Sequence, residues 1–469
     1  MKHIHFIGIC GVAMSALAIA FSEDGWKVTG SDVGFYPPIS DHLKKHRINF
    51  YPGWHPEKMM RDDRPDIVVV GNVAGSTNPE FFAARENELN IKSYPEVVAE
   101  YIVQDHSVVC AGTYGKTSSS ALLTWILSNA QIQPSYMFGG ISLNMPLSAK
   151  LRKDKNRSGW SVLEGDEYKT ARWDNRPKFM LYSPTHLLLS AALWDHADVF
   201  PTAKDYLKAF KDLIKLIPRK GLIVACIDGE NIKELIADVK AITYGKSNAD
   251  YVYKNISQTK DGIKFAIENR GETYQVFAPV LGEHMAENIC GCFAVAYESG
   301  IDADTILNSI ATFKGIRRRL EKKAEGDITI YDDLAHSPTK ARATLKTLRT
   351  IYPESKIIAI FEPNTGHRRP QSAPGYDNAF TPADEVIIPT LTKLKVDSSE
   401  TELPFEGEEL AQIISKTHRQ TIHIPDDTEL IDYILKNTKK EDVVVFLGSH
   451  GFRGMIDKLV TCPHPQLQL

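Results

Sequence analysis

The strongest constraint on this chain is the run Cys110-Ala111-Gly112-Thr113-Tyr114-Gly115-Lys116-Thr117-Ser118, set between the apolar Ser107-Val108-Val109 and the helical pattern Ala121–Leu127. A strand, a glycine turn, Lys-Thr and a helix in that order make a cradle for nucleotide phosphates. Glycines let main-chain N–H groups approach the phosphate oxygens, and a helix N-terminus favours negative charge. Lys116 can reach the β- and γ-phosphates, and the Thr117 hydroxyl can ligate Mg2+. The spacing G-x-x-x-x-G-K-[ST] would need glycine at position 110, where this chain has Cys110, so the loop is the shorter Gly-Thr-x-Gly-Lys-Thr. Gly112, Thr113, Gly115, Lys116, Thr117 and Ser118 are the candidate ATP contacts. An ordinary strand-to-helix turn with a chance Lys-Thr is the alternative reading.

A chain of 469 residues exceeds what one core holds, and about three domains is the natural division. The net charge of -4, with scattered lysines and arginines, argues against a general nucleic-acid binder; Arg317-Arg318-Arg319 is the one tight basic cluster. The six cysteines, Cys10, Cys110, Cys226, Cys290, Cys292 and Cys462, include no Cys-x-x-Cys pair, which fits a reducing compartment. Met1–His5 runs straight into a strand pattern without the signature of a secretory leader. No apolar run approaches the ~20 residues that span a bilayer. A cytoplasmic protein with neither membrane nor nucleic-acid partners is expected.

Three segments each restart a strand–helix alternation, so the expected architecture is three α/β domains in series. Residues 1–104 read as a Rossmann-like domain, with strands at His3–Gly8, Lys27–Ser31 and Ile67–Val70 and a helix from about Met14 to Glu23. Residues 105–315 read as a central phosphate-loop domain, with strands at Trp160–Leu163, Phe179–Ser183, His186–Leu189 and Leu222–Ala225 and helices at Ala203–Leu216 and Glu287–Ser299. Period-two alternation over 250–280 predicts antiparallel strands, a β insertion near that domain's end. Residues 316–469 read as a Rossmann-like C-terminal domain with strands at Ile328–Tyr331, Lys356–Phe361, Glu385–Pro389 and Val443–Leu447.

Five further clusters carry candidate chemistry. The turn Gly8-Ile9-Cys10-Gly11-Val12-Ala13-Met14 departs from the dinucleotide fingerprint G-x-G-x-x-G at Cys10 and Ala13, while Asp32 follows about twenty residues on. It reads as a phosphate turn that is not for NAD, and a ligand-free turn is an equal alternative. In Leu163-Glu164-Gly165-Asp166-Glu167-Tyr168, Glu164 ends a strand and is the best Mg2+ ligand, against an acidic surface turn. Asp195-His196-Ala197-Asp198 places His196 in the segment that holds the phosphate loop, where a metal role competes with a structural one. Gly282-Glu283-His284-Met285-Ala286-Glu287-Asn288 can present His284 and Asn288 to a nucleoside, or simply cap a helix. Arg317-Arg318-Arg319 beside Tyr331-Asp332-Asp333-Leu334-Ala335-His336 offers arginines to a γ-phosphate and Asp333 to ribose or metal; a solvated linker is the alternative.

Taken in order along the chain, Gly-Thr-x-Gly-Lys-Thr, Glu-x-Asp-Glu, Asp-His-x-Asp, Gly-x-His-x-x-x-Asn, Arg-Arg-Leu-Glu and Asp-Asp-x-Ala-His-x-Pro resemble the Mur ligases, ATP-dependent amide-forming enzymes of peptidoglycan synthesis. Gly8–Gly11, Ser31-Asp32 with Tyr36–Ser40, Gly71-Asn72, Gly139-Gly140 and the Arg172–Lys178 stretch are most similar to the murein peptide ligase branch. That branch joins L-Ala-γ-D-Glu-meso-diaminopimelate to UDP-N-acetylmuramate; the UDP-N-acetylmuramate–L-alanine ligases are the alternative. The resemblance implies UDP-sugar contacts at Gly8, Gly11, Val12, Asp32 and Asn72, and ATP contacts at the loop, His284, Asn288, Arg319 and Asp333. It implies Mg2+ at Thr117, Glu164 and His196, and catalytic roles for Lys116, His196, Arg319 and His336, the last toward the incoming amine. A carboxylate would be activated as an acyl phosphate, since hydroxide is a poor leaving group.

The chain departs from the family pattern in three places. Ala191-Ala192-Leu193 replaces the usual Asn-x-Glu, Tyr114 stands where histidine is common, and Asn364-Thr365 replaces Arg-Ser after Phe361-Glu362-Pro363. The first loss motivates a rival reading, a non-catalytic UDP-sugar and ATP binder with a regulatory role. A dehydrogenase is excluded by the broken fingerprint and the second phosphate loop.

Overall fold

The structure, a computed structural model, describes residues 1–35, 39–61, 63–72, 77–153, 158–194, 199–392 and 404–461. They form two compact units, one of residues 1–257, 264–279 and 284–316, the other of 258–263, 280–283 and 317–469.

Among the described residues the first unit carries a five-stranded sheet, a ten-stranded sheet and a two-stranded hairpin. Strands β1 (His3–Ile7), β2 (Lys27–Asp32), β3 (Asn49–Pro52), β4 (Ile67–Val70) and β5 (Ile91–Ser93) pair in parallel in the order β3-β2-β1-β4-β5. The order reverses between β1 and β4, the place where open α/β sheets take ligands. Ile4, Phe6, Val28 and Val69 are buried against Leu17, Ala18 and Phe21 of the helix Val12–Glu23. The helix thus starts two residues before the expected Met14, with Gly11 as its cap.

The second sheet has ten strands among the described residues. They are β6 (His106–Ala111), β7 (Ser135–Met137), β8 (Ala149–Lys150), β9 (Trp160–Gly165), β12 (His186–Leu189), β13 (Leu222–Cys226), β14 (Ile242–Gly245), β15 (Tyr251–Thr259), β16 (Gly262–Asn269) and β17 (Glu272–Ala278). Between β9 and β12 a separate hairpin, β10 (Lys169–Ala171) and β11 (Asp174–Pro177), stands off the sheet. The order is β17-β16-β15-β14-β13-β12-β6-β9-β7-β8. Continuous apolar strands such as Leu187-Leu188-Leu189 are central here, as doubly covered parallel strands must be. The alternating strands over 251–278 are not a separate insertion; they extend this sheet beyond β14.

One expected strand is absent. Phe179–Ser183 instead begins in a single 3-10 turn, Lys178–Leu181. Phe179 and Tyr182 are buried, and Tyr182 N donates to Phe179 O at 3.2 Å. A short apolar run fits a buried turn as well as a strand, and β12 fills the slot beside β6.

The second unit is built on β18 (Glu321–Glu325), β19 (Thr329–Asp333), β20 (Ile357–Glu362), β21 (Glu385–Ile388), β22 (Thr421–His423) and β23 (Val443–Gly448). Their order is β18-β19-β23-β20-β21-β22, with β18 antiparallel and the others parallel. Ile357, Ala359, Phe361, Val443, Val445 and Leu447 make one buried face, and Ile358, Ile360, Val444 and Phe446 the other. No helix among the described residues is long and apolar enough to cross a membrane.

Candidate functional site

The phosphate loop leaves the C-terminal end of β6, whose neighbours are β9 and β12. Gly112 (φ 133°) and Gly115 (φ 79°) hold backbone conformations that L side chains rarely adopt. A Cβ on Gly112 would meet Ser190 Oγ, and one on Gly115 would meet Asn288 Oδ1. Gly115 precedes the helix Lys116–Asn129, and no side chain caps it. The first-turn N–H groups of that helix are therefore left for a ligand.

Lys116 does not point into solvent. Its Nζ donates to Gly112 O at 2.7 Å and to Glu167 at 2.8 and 3.1 Å, with Glu167 1% exposed. Burial works against the ammonium, yet Glu167 outweighs it and the Lys116 pKa is raised. Tyr206 OH donates to Glu167 at 3.3 Å and lies 3.3 Å from Thr113 Oγ1. Asp166 pairs with Lys178 at 2.5 Å; burial opposes its charge, but Lys178 holds the carboxyl below its ordinary range.

Thr117 and Glu164 are brought together, with Thr117 Oγ1 donating to Glu164 Oε1 at 2.8 Å and Gly139 N to Oε2 at 2.6 Å. A hydroxyl and a carboxylate beside a phosphate cradle are hard oxygen donors that suit Mg2+, which binds few protein ligands and keeps phosphate and water in its shell. Asp195, His196, Ala197 and Asp198 lie outside the described residues. Ser118 follows on the first turn of the helix.

Of the replaced positions, Ala191 and Leu193 serve the loop through their carbonyls, while the Ala192 carbonyl meets Asn231. Thr113 N donates to Ala191 O at 3.0 Å, Thr113 Oγ1 to Leu193 O at 2.9 Å and Asn231 Nδ2 to Ala192 O at 2.9 Å. Any residue supplies a carbonyl, so this support survives the loss of polar side chains. The helix Glu283–Glu298 starts four residues before the expected Glu287 and brings buried Asn288 to Gly115, while His284 is exposed on its first turn. Glu287, next to Asn288, has its pKa pushed up to about 7 by burial and by Asp228.

The first glycine turn is fixed by its neighbours. Gly8 has φ 87°, and Gly8 N and Ile9 N donate to Ser31 O at 2.8 and 3.1 Å. Asp32 is 7% exposed; its carboxylate accepts Cys10 N at 2.8 Å and Val33 N at 2.7 Å. Gly11 and Val12 are exposed at the helix start. Gly71 N donates to Ile7 O at 2.9 Å, which sets Asn72 beside the turn, and Asn72 Nδ2 donates to Lys169 O of β10 at 3.2 Å. Behind the turn is a network invisible in the motifs. Buried Glu80 accepts from Ser31 Oγ, from Tyr51 OH at 2.7 Å and from His55 N at 2.8 Å, with His5 Nε2 at 3.6 Å. Burial opposes the charge on Glu80, and His5, Ser31 and Tyr51 bring its pKa below the usual value.

In the second unit the three arginines separate. Arg318 pairs with Asp332 at 3.1 Å and donates to the carbonyls of Gly448, Ser449 and His450, so it is structural. Arg317 and Arg319 are exposed. Asp333 accepts Leu320 N at 2.6 Å and is 9% exposed; burial raises its pKa to about 6 despite that bond. His336 follows β19, and burial, with Lys340 nearby, lowers its pKa to about 4. Its ring is neutral at pH 7. Arg368, downstream of the replaced Asn364-Thr365, is buried and donates to Thr392 O at 2.7 Å and Phe405 O at 3.0 Å.

Comparisons with known proteins agree with this layout. Three family models match in succession: Mur ligase family, catalytic domain, over residues 3–106; Mur ligase middle domain over 110–296; and Mur ligase, glutamate ligase domain, over 318–450. The chain is 32% identical to the UDP-N-acetylmuramate–L-alanine ligase of Ligilactobacillus salivarius, covering 97% of both chains. The chain belongs to the Mur ligase family. It is also 30% identical to the UDP-N-acetylmuramate–L-alanyl-γ-D-glutamyl-meso-2,6-diaminoheptandioate ligase of Haemophilus influenzae, over 98% of this chain and 99% of that one. The structure of the UDP-N-acetylmuramate–alanine ligase of Thermotoga maritima superposes with TM-score 0.78 over 98% of each chain at 22% identity, a likeness of fold. As a Mur ligase this chain is an ATP-dependent enzyme that forms amide bonds. Sequence reasoning singled out Glu164 but passed over Glu167 and Tyr206. The presence of three carboxylates in four residues was the available signal, and it did not say which one faces Lys116.

Proposed function

We propose that this Mur ligase joins the lactyl carboxylate of UDP-N-acetylmuramate to the amino group of L-Ala-γ-D-Glu-meso-diaminopimelate. The supporting observation is the built phosphate cradle: a left-handed Gly115 opening a helix, Lys116 held in place, and Thr117 against Glu164. UDP-N-acetylmuramate is assigned to Gly8, Gly11, Val12, Asp32 and Asn72 at the strand-order reversal. ATP is assigned to Gly112, Thr113, Gly115–Ser118, His284 and Asn288, with Arg319 and Asp333 from the C-terminal unit. The three-part division 1–104, 105–315 and 316–469 and a cytoplasmic location complete the reading.

A lactyl oxygen attacks the γ-phosphorus and ADP leaves. The amine then attacks the acyl phosphate carbonyl, and inorganic phosphate departs with the oxygen that came from the carboxylate. Lys116 leaves Glu167 for the phosphate oxygens and neutralises the charge that builds there. Thr117 and Glu164, with His196, are assigned to Mg2+, which when bound supplies charge neutralisation at the phosphates. Neutral His336 is assigned to take the proton of the amine.

The L-alanine reading stands second, carried by the 32% identity to an L-alanine ligase. ADP release with UDP-N-acetylmuramate and a panel of amines tests both. The first reading expects turnover with the tripeptide and little with L-alanine. Turnover with L-alanine alone selects the second. ADP release with no amine dependence refutes both.

A further inference from the structure

The hairpin β10–β11 stands off the ten-stranded sheet, yet it is tied to the carboxyl edge of the five-stranded one. Asn72 Nδ2 donates to Lys169 O at 3.2 Å, and Arg172 Nε, at the hairpin turn, lies 3.4 Å from Asn72 O as its donor. The next residue, Trp173, stacks on Phe81 of the helix Pro79–Glu86, with ring centroids 5.6 Å apart and planes 12° apart. Asn72 follows Gly71, where an added Cβ would come within 3.7 Å of Gly8 O, so the hairpin turn is set beside the first glycine turn. Both belong to one compact unit.

That edge is short of positive charge. Residues 8–14, 31–40 and 71–78, at the carboxyl ends of β1, β2 and β4, contain no lysine, arginine or histidine, and Asp32 adds a carboxylate. A UDP-linked sugar acid brings a diphosphate and a carboxylate here. Main-chain N–H groups of a glycine turn can bond phosphate oxygens, but they bring no full charge. The two arginines of the hairpin differ in this respect. Arg176 pairs with Asp174 at 2.7 Å. Arg172 is exposed, and no carboxylate among the described residues pairs with it. Its Nε faces Asn72 O, which leaves both Nη groups for a ligand.

We infer that Arg172 binds the UDP-sugar, its guanidinium pairing with the diphosphate or the lactyl carboxylate at the crossover between β1 and β4. This rests on the proposed function and adds to it a residue carried by the central segment. The planar fork of a guanidinium matches either anion in a bidentate pair. Trp173 is a positioning residue: its stack on Phe81 fixes the turn from which Arg172 projects.

Calorimetric binding of UDP-N-acetylmuramate to the full chain tests this, with UDP-N-acetylglucosamine as the probe that keeps the diphosphate and lacks the carboxylate. Arg172→Gln is expected to raise the Kd for UDP-N-acetylmuramate roughly 10- to 100-fold, the range of a lost charge-assisted hydrogen bond, with affinity for a non-hydrolysable ATP analogue unchanged. Arg172→Lys should recover part of the loss, Trp173→Ala should show a smaller loss, and Arg176→Gln should bind as wild type. An equal loss for both UDP-sugars identifies the diphosphate, and a loss for UDP-N-acetylmuramate alone identifies the carboxylate. An unchanged Kd in Arg172→Gln overturns the inference, as does an equal loss in Arg176→Gln, which would mark a diffuse charge effect. If Arg172→Gln fails to fold, Arg172→Met, which keeps the aliphatic stem, decides on the same criteria. A wild-type chain that does not bind UDP-N-acetylmuramate removes the proposed function and this inference together. Wild-type binding with unchanged affinity in the variants removes this inference alone.

Discussion

Replacing Lys116 by alanine should have two separable effects. In the structure the ammonium lies 2.8 Å from Glu167, with side-chain exposures of 14% and 1%. Removing it takes from a buried carboxylate the ammonium that lies against it. Breaking a buried pair from one side costs about 3–5 kcal/mol, whereas replacing both members is often close to neutral. Lys116→Ala should therefore lose about that much, and Lys116→Ala/Glu167→Gln should recover most of it, because a neutral amide there needs no counter-ion. Native-state hydrogen exchange of the helix Lys116–Asn129 under mild urea reads this locally, which suits a chain of more than one unit. ADP release should be absent from both variants, because neither supplies the Lys116 ammonium to the γ-phosphate, while UDP-N-acetylmuramate binding should be intact. Unchanged protection in Lys116→Ala, or a double variant no more stable than the single one, would refute the claim that Glu167 depends on Lys116. Wild-type ADP release in either variant would remove Lys116 from the chemistry.

Gly115→Ala should weaken binding of a non-hydrolysable ATP analogue, because alanine at φ 79° costs about 1–2 kcal/mol and its Cβ would displace Asn288; wild-type affinity by calorimetry would contradict this. Glu80→Gln removes the charge and one of the two acceptor oxygens that Ser31, Tyr51 and His55 N share, at about 1–3 kcal/mol for the lost acceptor. A lowered melting temperature with faster exchange at residues 3–10 is expected, and an unaltered melting temperature would count against the network. Glu287 has its pKa raised from 4.5 to about 7, so between those values the unfolded chain has released a proton that the folded chain keeps. The native state is therefore progressively penalised as pH rises through that window, and the penalty is complete above it. Glu287→Gln should gain stability relative to wild type from pH 4.5 to 7 in thermal melts, and a difference that is flat with pH would be the contrary result.

Much of the site was legible because its signals are local. Ser107–Leu127 encodes strand, turn and helix within one window, and Glu164 follows directly from its place near the C-terminal end of the neighbouring strand β9. The apolar runs Ile67–Val70 and His186–Leu189 could hardly be anything but covered strands. What escaped depends on partners distant in sequence. Glu80 meets Ser31 across 49 residues and Tyr51 across 29, so nothing around Glu80 marks it as buried. Glu167 is distinguished from Glu164 only by where Lys116 and Tyr206 arrive. The stretch Phe179–Tyr182 shows the limit of apolar runs, since burial dictates its composition and neighbouring strands dictate its backbone. Ala191–Leu193 shows the converse: a motif lost at the level of side chains leaves its main-chain contacts with the loop in place.

The central claim is that ATP activates a carboxylate of UDP-N-acetylmuramate as an acyl phosphate before the amine attacks. UDP-N-acetylmuramate carrying oxygen-18 in its lactyl carboxylate tests this in a single turnover, with inorganic phosphate and product analysed by mass spectrometry. The account predicts one heavy oxygen transferred to each inorganic phosphate released. Amide product formed alongside unlabelled phosphate would contradict it.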